Sequence, residues 1–285
     1  MTDRILVISR SGQLATALQR LGGARVEAWG RDRFDLADPS SMQAKLADFG
    51  AATVINAGAY TAVDQAETNQ DQAFALNRDG PAALAAACAD LRLPLVHLST
   101  DYVFDGAKAG AYVEDDARAP LGVYGRSKAE GETAVLAHDG TVVRTSWVFA
   151  AHGKNFVRTM LALAEKSDRI SVVNDQVGRP TWADDLAGAC LALASRHDVG
   201  GEVFHFAGAD DATWADFAEG IFAEAAARGL KSARVSRILS EEYPTAAVRP
   251  ANSRLDSSKF AARTAMAPRP WREALSLCMD QIAPR

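Results

Sequence analysis

The chain has 285 residues, which is enough for one large or two modest domains. Its net charge of −5 provides no general basic face to neutralise phosphates, so we expect no nucleic-acid partner. No stretch approaches the roughly 18 apolar residues of a membrane span and no signal peptide is visible, so we expect no membrane partner and a cytoplasmic location. Three widely spaced cysteines predict neither a disulfide framework nor a thiolate metal site.

Short apolar runs alternate with longer helical patterns in the first part of the chain, which is typical of βαβ units. The clearest helix lies within 38–50, where Asp38 can cap, Pro39 suits the first position and Gly50 ends the helix. The apolar runs are continuous, as in parallel strands buried on both faces. They predict a Rossmann-type doubly wound parallel sheet, an α/β fold, with strands in RILVI (4–8), RVEAW (25–29), TVIN (53–56), PLVHLS (94–99), TVVRTSW (141–147) and EVFHF (202–206).

The pattern changes after about residue 208. Helical patterns cover 213–229 and 270–282, a strand-like run covers 233–239, and 241–260 is polar and proline-rich. An irregular segment of that length is more often a binding element than a spacer. We therefore predict a smaller C-terminal α/β substrate-binding domain formed by about 149–171 and 209–285, with 1–148 and about 172–208 forming the Rossmann domain.

The first strand leads through the turn SRSG into a helical pattern. Such a unit presents backbone N–H groups and the positive end of a helix dipole to a pyrophosphate. The three positions of the dinucleotide-binding fingerprint are Ser9, Gly12 and Ala15, so only the turn-forming glycine is replaced by a residue the motif does not accept. A positive φ at Ser9 would cost about 1–3 kcal/mol. A relaxed turn with negative φ, and a turn that binds nothing, are the alternatives.

Tyr124 and Lys128 are four residues apart at the start of a predicted helix, so their side chains share a face. A phenol is a poor acid at neutral pH, but an ammonium within roughly 4–6 Å stabilises phenolate and lowers the pKa. The pair therefore indicates a general acid, with a simple surface pair as the alternative. The histidines lack metal-ligand spacing, and GRSKA lacks the second glycine of a nucleophile elbow, so nothing indicates a hydrolase.

The order of these features resembles the extended short-chain dehydrogenase/reductase family: a glycine turn, NAGAYT after a strand, Thr100 at the next strand end, then YxxxK. The segments STDYVFDG, PLGVYGRSKAEGE, NDQVGRPT and YPTAAVRPANSRLDSSKF resemble, within it, the dTDP-4-dehydrorhamnose reductase family. The resemblance implies NADPH-dependent reduction of the C4 keto group of dTDP-4-dehydro-L-rhamnose to dTDP-L-rhamnose. Thr100 and Tyr124 would bond the keto oxygen, Tyr124 would donate the proton, and Lys128 would bind the nicotinamide ribose.

The resemblance also implies two binding sets. NADPH is the expected cofactor, with NADH as an alternative, and the absence of an acidic residue at the very end of the second strand favours NADP. We take Arg10 and Arg31 as candidates for its 2′-phosphate. The remaining cofactor residues would be Gly12, Gln13, Leu14, Asp35, Leu36, Ala57, Gly58, Ala59 and Tyr60, together with Tyr124 and Lys128. The nucleotide-sugar substrate would meet Val63, Thr100, Tyr102, Val103, Trp147, Asn155, Arg249, Asn252 and Arg254, since arginine forks suit a diphosphate.

Several alternatives stay open. A dehydratase of this fold would need an acid and base after the threonine, typically Asp-Glu, whereas this chain has Asp101 and Tyr102. Another nucleotide-sugar reductase or epimerase would share the scaffold. A non-catalytic NADP-binding regulatory subunit is a further alternative, which the altered glycine turn favours. Some relatives dimerise through Mg²⁺, but no residues here match those positions, so we assign no metal ligand and hold a homodimer and Mg²⁺ as expectations only.

Overall fold

The structure, a computed structural model, describes residues 4–283. Its strands are β1 (Ile5–Ile8), β2 (Val26–Trp29), β3 (Thr53–Asn56), β4 (Leu95–Thr100), β5 (Thr141–Thr145), β6 (Val148–Phe149), β7 (Arg169–Val173), β8 (Val177–Gly178), β9 (Thr181–Trp182), β10 (Val203–His205), β11 (Ala212–Thr213) and β12 (Arg234–Ile238). Its helices are α1 (Gln13–Gly22), α2 (Met42–Phe49), α3 (Val63–Ala66), α4 (Gln70–Phe74), α5 (Gly80–Asp90), α6 (Val123–Leu136), α7 (Phe156–Ala164), α8 (Ala183–Ala194), α9 (Trp214–Ala227), α10 (Ser258–Thr264) and α11 (Trp271–Ile282). A π-helical turn, Ala75–Asp79, lies between α4 and α5. Within 4–283, none of the helices is long and apolar enough to cross a membrane.

Six strands form one parallel sheet in the order β10-β5-β4-β3-β1-β2. Each of the six apolar runs contributes one of these strands, which confirms the predicted α/β fold. The chain moves outward from β1 to β2 and then resumes on the other side with β3, so the direction of winding reverses between β1 and β3. Ligands of open α/β sheets bind in the crevice beyond the carboxyl ends of the strands at such a point.

Helices cover both faces of the sheet. α1 and α8 pack on one face over a buried cluster that includes Val7 and Phe204, and α2, α5 and α6 cover the other over a cluster that includes Leu6. The start of α2 differs slightly from the prediction, because Pro39–Ser41 forms a separate 3₁₀ turn capped by the Asp38 carboxylate. Its end is as predicted, with Gly50 in the left-handed region at φ 63°.

A third buried cluster joins α7, α9 and α11 to the parallel pair β7 and β12. It includes Val172 and Trp182, which the predicted boundaries place in the Rossmann domain. The chain instead rejoins the main sheet at α8, whose Ala183 belongs to the first cluster. The division into two domains stays a prediction. The irregular segment after β12 is tied down by bridges that pair Leu255 with Tyr112 and Asn252 with Val177.

Candidate active site

Thr100 and Tyr124 meet where β4 ends and α6 begins. Gly125 permits this contact, because a Cβ there would lie 2.1 Å from the Tyr102 carbonyl oxygen. The first turn of α6 therefore sits directly on the 3₁₀ turn Asp101–Val103, and the Thr100 hydroxyl accepts from the Tyr102 N–H at 3.2 Å. The rings of Tyr102 and Tyr124 pack edge to face at 5.5 Å.

The Tyr124 phenol is a protonated group at neutral pH. Burial raises its pKa to about 12, and the Asp101 carboxylate adds to this, whereas the Thr100 hydroxyl stabilises the phenolate and opposes it. The expectation that Lys128 lowers this pKa is wrong for this structure. The ring therefore holds a proton next to a second hydroxyl.

The Lys128 amine is turned toward β4. It is 2% exposed, donates to the Leu98 carbonyl at 2.6 Å, and lies 3.4 Å from Nε2 of His97. Burial lowers its pKa to about 8, and the Glu132 carboxylate one helical turn further along opposes that shift. The amine is thus held on the sheet side of Tyr124, which explains why it does not lower the pKa of the Tyr124 phenol here.

A buried polar chain supports Lys128 from behind. The Gly58 N–H donates to Oδ1 of Asn56 at 3.1 Å, and Nδ2 of Asn56 lies 3.0 Å from Nδ1 of His97. His97 is fully buried, and both of its ring nitrogens have hydrogen-bonding neighbours. Burial and the neighbouring Lys128 hold its pKa well below the usual value, so it is neutral.

Asn77, in the π-helical turn, links the loop after β3 to α6. Its Oδ1 accepts from the Tyr60 N–H at 2.8 Å, and its Nδ2 donates to the Tyr60 carbonyl at 3.1 Å and to the Ser127 hydroxyl at 3.0 Å. A buried amide whose oxygen and nitrogen are both hydrogen-bonded holds the loop after β3 and the helix α6 rigidly. The loop 57–60 and the helix carrying Tyr124 and Lys128 therefore hold a fixed relation.

The turn after β1 answers the question raised by Ser9. Its φ is 121°, in the region that favours glycine, so the turn keeps the geometry of the fingerprint despite the serine. Gly12 is the N-cap of α1 and supplies no side chain to bind the first N–H groups of the helix. Oε1 of Gln13, the next residue, is buried without a hydrogen-bond partner among residues 4–283.

The basic residues near the adenosine end are engaged with carboxylates. Arg10 pairs with Asp32 at 3.2 Å and Arg31 pairs with Asp35 at 2.9 Å, and all are at least partly exposed. Leu36 lies against the loop after β3, since a Cβ on Gly58 would be 2.9 Å from its Cδ1. These predicted cofactor residues, together with Gly12 to Leu14 and 57–60, thus surround the carboxyl ends of β1 and β3.

An apolar cavity of about 640 Å³ adjoins this crevice. Tyr102 and Arg249 lie on its wall, with Phe156 and Trp214, which pack against the third cluster. The Arg249 guanidinium donates to Asp64 at 2.7 Å. Trp147 stacks on Trp214 at 3.5 Å between ring centroids.

The Trp147 backbone is in the left-handed region, at φ 49°. Its indole occupies the space beside Gly178, where a Cβ would lie 2.4 Å from the ring. Strained backbone of this kind persists only where the surroundings determine it, and it is common at binding sites. The strand prediction reached residue 147, but β5 ends at Thr145 because the chain turns here.

Comparisons with known proteins agree with this geometry. The family described as RmlD substrate binding domain matches residues 3–283. A dTDP-4-dehydrorhamnose reductase from Sinorhizobium fredii is 46% identical to this chain and covers 90% of each protein. The chain belongs to the dTDP-4-dehydrorhamnose reductase family. A crystal structure of a dTDP-4-dehydrorhamnose reductase from Bacillus anthracis in complex with NADP superimposes with a TM-score of 0.91 at 31% identity, covering 98% of this chain and 99% of that one. A dTDP-4-keto-6-deoxy-D-glucose reductase from Streptomyces niveus is 42% identical over 78% of each chain.

Several predicted substrate residues lie apart from the cavity in this family member. Val103 is fully buried in a cluster with Phe104 and Leu255, because the 3₁₀ turn points it inward. Asn155 caps α7 by accepting from the Arg158 N–H at 3.1 Å, and its amide donates to two carbonyls. Their assignment to the substrate stays a prediction that the structure does not favour.

Asn252 and Arg254 are also committed to protein partners. Asn252 donates to the carbonyls of Lys108 and Gly110 at 2.6 and 2.8 Å, and its Oδ1 accepts from Arg254 at 2.8 Å. Arg254 further donates to Asp211 at 3.2 Å. The resemblance implies that Asn155, Arg249, Asn252 and Arg254 bind the diphosphate, but of these four the structure brings only Arg249 to the cavity. Val63, at the start of α3, is partly buried beside Asp64.

Sequence reasoning missed several residues of the site. Asn56, Asn77 and Trp214 carried no motif of their own, and their roles depend on contacts across the fold. Asp101 was noted only because glutamate does not follow it. A carboxylate directly after a strand-end threonine, in an otherwise apolar run, was the signal that could have singled it out. Among the described residues, no group of three or more His, Cys, Asp or Glu side chains is placed to hold a metal ion.

Proposed function

We propose that the protein reduces the C4 keto group of dTDP-4-dehydro-L-rhamnose to dTDP-L-rhamnose with NADPH. The observation that carries this proposal is the meeting of Thr100 and Tyr124 at the carboxyl end of β4, in a chain of the dTDP-4-dehydrorhamnose reductase family. The Thr100 hydroxyl is close enough to the Tyr124 phenol to influence its pKa. A ketone oxygen placed there would accept hydrogen bonds from both.

Tyr124 is the proton source in this proposal. Its raised pKa keeps the phenol protonated across the neutral range, so a proton is always available in the free enzyme. A bound reduced nicotinamide supplies a hydride to the carbonyl carbon. The phenol proton passes to the carbonyl oxygen, to which the Thr100 hydroxyl also donates a hydrogen bond.

The residues around the turn after β1 fit the dinucleotide. The uncapped N-terminus of α1 offers free N–H groups and a positive dipole end to the pyrophosphate. Oε1 of Gln13, the first residue of α1, is a buried group that still needs a hydrogen-bond donor. Gly12 to Leu14 would hold the pyrophosphate, Asp35 and Leu36 the adenosine, 57–60 the other flank, and Lys128 the ribose. Arg10 or Arg31 would bind the 2′-phosphate.

The cavity beside Tyr102 would take the rest of the substrate. Its apolar wall, formed partly by Phe156 and Trp214, suits a nucleoside, and Arg249 lies where a diphosphate would pass between the cavity and Tyr124. A 4-keto-6-deoxy sugar of different stereochemistry is the second candidate, because the relative from Streptomyces niveus carries that name. A homodimer and a cytoplasmic location stay predictions.

The test is a direct assay of purified protein with dTDP-4-dehydro-L-rhamnose and NADPH, following loss of the reduced-cofactor absorbance. We expect consumption that requires the L-sugar, with slower consumption for the D-gluco epimer and for NADH. Consumption with the D-gluco epimer alone would assign the second substrate. Nucleotide binding without any consumption would instead support a regulatory subunit and refute the proposal.

A further inference from the structure

Asp101 is a buried carboxyl group that the proposed reaction does not yet use. It directly follows Thr100 at the end of β4 and is 3% exposed. The Thr100 hydroxyl lies 3.0 Å from its Oδ1. Its Oδ2 is buried without a hydrogen-bond partner among the described residues, and the nearby Ser253 hydroxyl, though outside hydrogen-bonding geometry, favours the carboxylate.

The Thr100 hydroxyl has one proton and two lone pairs. One lone pair accepts from the Tyr102 N–H at 3.2 Å. An ionised Asp101 can only accept, so the single Thr100 proton then points to Oδ1 and none remains for a ketone. A protonated Asp101 donates instead from Oδ1 to the second lone pair, which leaves the Thr100 proton directed toward the crevice.

We propose that Asp101 is a positioning residue that decides which way the Thr100 hydroxyl donates. Protonated Asp101 turns the Thr100 proton toward the keto oxygen, and ionised Asp101 withdraws it. This inference rests on the proposed function, since it concerns the same hydroxyl pair. The donor matters because a fixed hydrogen bond to the developing oxyanion is worth most in a site closed to water.

The surroundings make this switch accessible in ordinary assays. Burial raises the pKa of Asp101 to about 6. The Ser253 and Thr100 hydroxyls stabilise the carboxylate and therefore oppose this shift. The Asp101 charge in turn raises the pKa values of the Tyr102 and Tyr124 phenols.

Four other ionisable groups lie farther from Thr100 and Asp101. From α6, the Lys128 amine is turned away to the Leu98 carbonyl and the Glu132 carboxylate acts on that amine, while Arg249 and Asp64 act on Tyr102 across the crevice. Because Asp101 must hold its proton to release the Thr100 hydroxyl, activity should fall as pH rises through the Asp101 pKa.

The experiment compares pH profiles of kcat/KM for wild type, Asp101→Asn, Thr100→Val and the double variant. In Asp101→Asn, the new side-chain amide donates to Thr100 at every pH, and its oxygen can accept from Ser253. We expect kcat/KM of wild type to fall above the Asp101 pKa by up to about tenfold per pH unit, as the protonated fraction falls, and to level off at the value of Thr100→Val. Asp101→Asn should show no such fall over the same range. Thr100→Val should be slow and also free of it, and the double variant should match Thr100→Val.

A fall that persists unchanged in Asp101→Asn would overturn the inference, as would a fall that persists in Thr100→Val. Infrared difference spectra of wild type minus Asp101→Asn provide a readout without substrate: a protonated carboxyl band should disappear only above about pH 6. Absence of that band at pH 5 would also overturn the inference. If wild type consumes no NADPH at any pH, the proposed function fails, and the infrared titration still reports on Asp101 alone.

Discussion

Replacement of Ser9 by glycine should stabilise the protein. Ser9 has φ 121° while its N–H donates to the Trp29 carbonyl at 2.9 Å, so the turn is fixed by the sheet and the strain is borne by the serine. A residue other than glycine in this backbone region destabilises the folded state by about 1–3 kcal/mol. Glycine removes that strain, but its greater freedom in the unfolded chain lowers the free energy of unfolding by about 0.5–1 kcal/mol. We therefore expect a net gain of about 1 kcal/mol, or about 2 °C in Tm for a chain of this size.

Urea unfolding at fixed pH measures this gain, with Ser9→Ala as the matched control. Alanine removes the hydroxyl but keeps the Cβ, so it should leave the free energy of unfolding within about 0.5 kcal/mol of wild type. Because the backbone path is unchanged, NADPH affinity should stay within about threefold in both variants. A glycine variant no more stable than the alanine variant would refute the view that Ser9 is strained.

Three further changes test other parts of the site. Gly178→Ala places a Cβ 2.4 Å from the Trp147 ring, so it should displace that ring from Trp214, a change followed by tryptophan fluorescence. Kinetics should then show a KM for the sugar nucleotide raised at least about tenfold, with NADPH binding nearly unchanged. Arg10→Ala and Arg31→Ala should separate their roles, because whichever binds the 2′-phosphate should lose about tenfold in the NADPH-to-NADH ratio of kcat/KM, and unchanged ratios in both would exclude them. Glu132→Gln leaves the buried Arg144 without its carboxylate partner, which lies 2.8 Å away in the native pair. The free energy of unfolding, measured in urea, should therefore fall by about 3–5 kcal/mol. A decrease below about 1 kcal/mol would contradict this expectation.

The sheet could be predicted because its strands are buried on both faces and therefore appear as unbroken apolar runs. The shared face of Tyr124 and Lys128 followed from helical periodicity in the same way. The direction of the Lys128 amine did not, because it depends on the Leu98 carbonyl and on His97, which only the packing of α6 against β4 brings near.

Polar side chains in the C-terminal part were harder to interpret. An asparagine or arginine in an irregular segment can bind a ligand or hold the segment together, and its sequence context does not distinguish the two. Asn252 and Arg254 hold 108–110 and Asp211, while Arg249 is left facing the cavity. The conformation of Ser9 was likewise undetermined, since serine permits both turns at different cost and the pairing of β1 with β2 decides between them.

Tyr124→Phe tests the central claim, that this phenol gives its proton to the ketone as hydride arrives. Wild type and variant should be compared with saturating dTDP-4-dehydro-L-rhamnose and NADPH, with NADPH affinity measured separately by fluorescence. We expect unchanged folding and nearly unchanged NADPH affinity, because the variant keeps the Tyr124 ring and every other predicted cofactor residue. We expect a kcat reduced by about 100-fold or more, the usual contribution of a positioned acid. A variant that turns over at the wild-type rate would contradict the account.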